Sequence, residues 1–301
     1  AGDFTHTWPM FLAHACLLCG LLACSAVDVE MWIVPLEVCW FVSLVGIVCA
    51  AASPHPFMPT VPPTTGAMSL AALVGIGVAV LLVRRGLLQE SFIDADAAPQ
   101  TADEGAGAGP SRPRSEKNPP SGVAITKAHG VNPRREILRE VVFLSPAIIL
   151  AVTAWAVVTH VPAARSAWSY LVDESGSGAF ARHFNGLLAA VFGYLIGGLW
   201  IWGMRIFGTL VFGKEAMGLG DVHILAAVGA VTGYVVPSVA FFVGPVFGIL
   251  WALYLWIGRR QRELPYGPWL ALGTLAVMLC YDPIRDVLEQ YREILITLAG
   301  G

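Results

Sequence analysis

Two acids in this chain stand where apolar segments begin or end, and their surroundings suggest chemistry. Asp221 lies in GKEAMGLGDVHILAAVGAVTG, positions 213–233, at the mouth of an apolar run. A carboxylate carried to mid-membrane costs roughly 2.5 to 3.5 kcal/mol, so one kept at a helix start beside glycines is more often functional than accidental. Gly218 and Gly220 remove the side chains that would hold a peptide backbone away from it. On spacing alone, an aspartate that N-caps the following helix accounts for Asp221 equally. Asp28 opens DVEMWIVP, positions 28–35, together with Glu30. Taken by themselves these two read as ordinary interfacial acids. If Asp28 and Asp221 meet, the pair can do general acid–base chemistry: an ionised carboxylate takes a proton from water while a protonated partner polarises a carbonyl. Two carboxylates held close share one proton, which supplies that inequality with no cofactor, metal or nucleotide required.

The elements that must hold these acids are set by composition. The chain has 301 residues, 56% hydrophobic and 13% charged, with a mean hydropathy of +0.68, which describes a polytopic membrane protein and not a soluble domain. A net charge of -3 with basic residues scattered in short loops argues against nucleic acid as a partner. Cys16, Cys19, Cys24, Cys39, Cys49 and Cys280 all fall in apolar stretches, so buried packing is expected; Cys16 and Cys19 form one CxxC pair, half of a zinc site at best. Neither a GxxxxGK[ST] phosphate loop nor HExxH nor GxSxG occurs.

Hydropathy divides the chain into eight spans: 9–27, 33–52, 67–83, 141–160, 186–207, 222–236, 239–257 and one opening at 264. The expected fold class is an all-α bundle of about eight transmembrane helices with one long disordered cytoplasmic loop. Four regions follow: first helices with the first aspartate at 1–85, the loop at 86–140, a transmembrane core at 141–282 and a C-terminal interfacial helix at 283–301. Residues 161–183 read as a mixed loop, and Pro237 separates the sixth and seventh spans. Gly186, Ala190, Gly193 and Gly197 recur at helical spacing, which predicts a close helix crossing. Arg84, Arg85, the basic half of the loop, Lys214, Arg259, Arg260 and Arg262 fall on one side of this alternation, so that side is the cytoplasmic one and both termini lie outside. The same alternation puts the end of span one, the start of span six and the LPYGP loop on the cytoplasmic face. Membrane lipid is thus an expected partner, with the basic loop as a further contact for anionic headgroups.

GKEAMGLGDVHILAAVGA resembles the second active-site motif of the bacterial type IV prepilin peptidases, intramembrane aspartic proteases of the GxGD kind. DVEMWIVP resembles their first-aspartate motif, and LPYGPWLALG, positions 264–273, a third motif with a PxGP run. The resemblance covers 13–35 and 185–273. It implies that Asp28 and Asp221 are the catalytic pair, that Gly218 and Gly220 are the motif glycines, and that Pro265, Gly267 and Pro268 shape an active-site loop. It implies a prepilin or pseudopilin as substrate, cleaved at the cytoplasmic face of the bacterial inner membrane. His223 replaces a frequent lysine and Leu36 a frequent polar residue, while the stretch 67–160 looks like an insertion. The family's upstream domain with two CxxC pairs, linked to N-methylation, has no counterpart here. Three rivals stand beside this reading. A presenilin-like protease would place Tyr-Asp before GLGD and PAL after it, whereas here Tyr281 and Asp282 follow and PAL is missing. A proton-coupled transporter would carry acids nearer mid-span and an internal repeat. A non-catalytic scaffold of a pilus or secretion assembly would tolerate the loss of either aspartate.

Overall fold

The computed structural model describes residues 4–53, 61–88, 133–173, 178–213, 217–257 and 265–299. These form ten helices in chain order: α1 (Phe4–Met31), α2 (Leu36–Ala52), α3 (Pro63–Arg84), α4 (Pro133–His160), α5 (Pro162–Val172), α6 (Ala179–Phe212), α7 (Leu219–Thr232), α8 (Val235–Ile257), α9 (Gly267–Leu279) and α10 (Tyr281–Ala299). Five of them, α1, α3, α4, α6 and α8, are long and apolar enough to cross a membrane, and α2, α7 and α9 are shorter apolar helices of 17, 14 and 13 residues. The chain is an all-α polytopic membrane protein. Large apolar side chains such as Phe41, Leu44, Ile149, Phe207 and Ile249 cover its outside, an arrangement stable against lipid and not against water.

The centre is α7. It is apolar on every face, and Val222 and the run from Ile224 to Thr232 are buried, so it needs neighbours all round. Helices α1, α2, α6, α8 and α9 supply them. The α6–α7 crossing is close, as the glycine stripe predicts. A Cβ at Gly193 would fall on the carbonyl oxygen of Gly229, and one at Gly197 on that of Leu225. Helices α3 and α4 pack on each other and join this core through α6.

Several boundaries differ from the sequence reading. The first span runs on to Met31, which places Asp28 inside α1; Trp32, at φ 60°, closes the helix with its N–H on the Asp28 carbonyl at 3.0 Å. Residues 89–132 of the expected loop lie outside the described residues, as do Lys214 and the basic cluster at 259–262. The last part of that loop is helical, since PRREILRE continues without a breaker into the apolar run of α4. The expected mixed loop 161–183 contains α5, started by Pro162 in the first turn. The sixth and seventh spans part at Gly233, whose φ of 77° suits glycine, and Pro237 sits inside α8 instead. Cys24, Cys39 and Cys49 are buried as expected, whereas Cys19 and Cys280 face outward.

Candidate active site

Asp28 continues the buried stripe of α1. Leu17, Leu21 and Cys24 precede it by eleven, seven and four residues, the spacing of one helix face, and all are buried. Asp28 is 7% exposed, while its neighbours Val29 and Glu30 point away and are exposed. The acid that faces the core is therefore Asp28. Its Oδ2 accepts a hydrogen bond from the backbone N–H of Gly267 at 2.9 Å. That N–H is one of the donors left unpaired at the start of α9, and Pro268, next in line, has none to offer. A carboxylate at this position also meets the positive end of the helix dipole. A Cβ on Gly267 would stand 2.6 Å from the same oxygen, so the bond needs glycine there.

Asp221 lies in the first turn of α7 and is 8% exposed. It is not the N-cap; Gly218 holds that position, without a side-chain cap. Gly220 has a packing role that the sequence did not disclose: a Cβ there would come within 2.6 Å of Cβ of Val34. The first turn of α7 thus rests directly on the connection that follows Asp28. A Cβ at Gly218 would be 3.9 Å from Oδ2 of Asp221, ordinary contact, so at this position only the open approach to the acid speaks for glycine.

These contacts bring the three motifs together. Asp28 touches Gly267, Gly220 touches Val34, and Asp28 and Asp221 lie within each other's electrostatic reach. Pro265 and Pro268 flank Tyr266 and Gly267 at the head of α9. Below Asp28, the sulfurs of Cys24 and Cys39 approach to 3.8 Å and seal α1 against α2.

Sequence reasoning overlooked two groups. Tyr266, inside the PxGP run, carries a buried hydroxyl with no hydrogen-bond partner among the described residues, within reach of the Asp221 charge. Arg205, fully buried in α6, binds Glu140 of α4 and the backbone of Met217 beside Gly218. A lone arginine late in an apolar helix was the available signal for it.

Stretches of the chain are similar to proteins named prepilin leader peptidase/N-methyltransferase. The chain is 34% identical to the one from Pseudomonas aeruginosa over 118 residues, 38% of this chain and 39% of that relative. It is 37% identical to the one from Aeromonas salmonicida over 100 residues, 32% of this chain and 34% of the relative. With the one from Stutzerimonas stutzeri it shares 33% identity over 130 residues, 42% and 43% of the two lengths. The chain thus spans less than half the length of these relatives. No family model and no solved structure matches it. Together with the three converging motifs, the similarity relates this chain to the type IV prepilin peptidases.

Proposed function

We propose that this protein is an aspartic endopeptidase that removes the leader of a type IV prepilin or pseudopilin at the cytoplasmic face of the bacterial inner membrane. The observation that carries the reading is the convergence at Asp28: the end of α1 is tied to the head of α9 by the Gly267 bond, and the head of α7 rests on Val34. Two buried carboxylates from distant parts of the chain, each within the electrostatic reach of the other, support the reading.

In the proposed reaction the ionised aspartate takes a proton from water, and the water oxygen attacks the scissile carbonyl carbon. The protonated aspartate polarises the carbonyl oxygen, and the amine departs with a proton returned from the pair. The Gly267 N–H stabilises negative charge on Asp28, while Asp221 accepts no such backbone hydrogen bond among the described residues. The two acids therefore differ in surroundings, as a base and an acid must. The basic clusters at 84–85 and 259–262 support the cytoplasmic placement.

The test is conversion of a prepilin-type substrate to its shorter form in membranes containing Asp28→Asn, Asp221→Asn or Glu30→Gln. Each Asn variant is expected to lose cleavage while still inserting, because base and acid act in one transition state. Glu30→Gln is expected to cleave normally. Substantial cleavage by either Asn variant would sink the proposal and favour a scaffold.

A further inference from the structure

Past its first turns α6 is apolar, and Arg205 is buried completely within it. Nε of Arg205 donates to Oε1 of Glu140 at 3.2 Å, and Nη1 donates to the Met217 carbonyl oxygen at 2.6 Å. The other oxygen of Glu140, Oε2, accepts from Nε1 of Trp202 at 2.9 Å. Glu140 is itself 3% exposed and belongs to α4, the helix that pairs with α3. Met217 directly precedes Gly218, the N-cap of α7, and stands four residues before Asp221.

A buried ion pair is weak evidence for stability, since apolar residues of similar volume often serve as well or better. A guanidinium aimed at a loop carbonyl does something those residues cannot. It fixes where the backbone enters α7, and a hydrogen bond from a charged donor is stronger than one between neutral groups. Helix α7 carries Asp221 in its first turn, so the entry point sets where that carboxylate stands relative to Asp28.

The geometry points to Arg205 as a positioning residue for Asp221, aimed by Glu140 and Trp202, which makes the α3–α4 pair part of the catalytic apparatus. This rests on the aspartic reading above. Arg205 touches no substrate; it acts through the Met217 carbonyl.

The experiment uses the full chain in detergent-solubilised membranes and a prepilin-type substrate, and reads kcat, KM and thermal unfolding. The double variant Glu140→Leu, Arg205→Leu removes both charges and the carbonyl donor together. Its melting is expected to fall only modestly, because the Trp202 indole N–H and the Met217 carbonyl lose their partners, its KM to stay within about twofold and its kcat to fall about a hundredfold, the scale of a 1 Å misplacement. Arg205→Lys, which still donates to the carbonyl, is expected to recover part of that loss. Where the double variant does not accumulate, Glu140→Gln decides: kcat lowered about tenfold with KM held supports the role, about the weight of one charge-assisted bond. Parental kcat in the folded double variant, or in Glu140→Gln when that variant decides, overturns it. Asp221→Asn is measured alongside. Cleavage by that variant overturns the aspartic reading itself, whereas its inactivity beside a fully active Leu/Leu variant overturns the positioning role alone.

Discussion

Replacing Gly267 with alanine isolates the contact on which the site depends. The new Cβ would lie 2.6 Å from Oδ2 of Asp28 and 3.3 Å from its Cγ. Ordinary contact begins near 3.4 Å, so the carboxylate must retreat by about 0.8 Å. That retreat lengthens the 2.9 Å bond from the Gly267 N–H beyond hydrogen-bond range. The fold has no matching reason to suffer. Gly267 is in the first turn of α9, has no positive φ, and alanine is the better helix former by roughly 0.8 to 1 kcal/mol. A displacement near 1 Å in a catalytic group costs about a hundredfold in rate. Gly267→Ala is therefore expected to lower kcat about a hundredfold with KM and melting temperature close to the parent. The assay is the time course of precursor-to-mature conversion in solubilised membranes, with Gly77→Ala as control, because a Cβ at Gly77 meets nothing within 4 Å. Full-rate cleavage by a folded Gly267→Ala protein would refute the assignment of Asp28 as a placed catalytic acid.

Two further outcomes follow from the geometry. Gly193→Val drives a side chain into the α7 backbone at Gly229, so it should destabilise the protein by about 3 kcal/mol or prevent accumulation, read as a lower melting temperature in detergent; a parental melting curve would contradict the close crossing. Tyr266→Phe removes a buried hydroxyl that has no partner among the described residues, which is neutral or favourable for stability; a loss of kcat of about tenfold or more in this stable variant would show that the hydroxyl meets water or substrate beside Asp221, and an unchanged kcat would show that it does not.

What could be read from the sequence followed from periodicity and charge. Leu17, Leu21, Cys24 and Asp28 share one helical spacing, but Cys19, Ala23, Ala26 and Val27 put an equally apolar stripe behind Glu30, so burial in the fold and not spacing separates the two acids. The stripe ending in Gly193 and Gly197 foretold a close crossing, though not that Gly229 and Leu225 lie opposite. Local signals were weaker guides to boundaries. Pro237 reads as a breaker, yet proline is tolerated in the first turn of α8, and the turn falls on Gly233, where a positive φ is needed. The contacts that define the site join residues too far apart for any local pattern: Asp28 with Gly267, Val34 with Gly220, Glu140 with Arg205. Glu140 fell inside a stretch whose composition suggests loop, because its helix begins with charged residues before the apolar run.

The grip of Arg205 on Met217 also sets a depth. Side chains on a helix lean toward its N-terminus, so Met217 lies level with Arg205 or nearer the start of α6, while α6 continues seven more residues to Phe212. At 1.5 Å per residue its end stands about 10 Å beyond the entry to α7. The aspartates therefore sit below the rim of the helix that walls them. On the proposed reading, a peptide arriving from that rim runs about three extended residues, at roughly 3.3 Å each, to reach the entry to α7, and farther still to reach Asp221. A substrate that keeps its helix up to the scissile bond advances only about 4.5 Å in the same three residues and falls short. On the proposed reading, the recess favours an incoming chain whose helix gives way next to the bond to be cut.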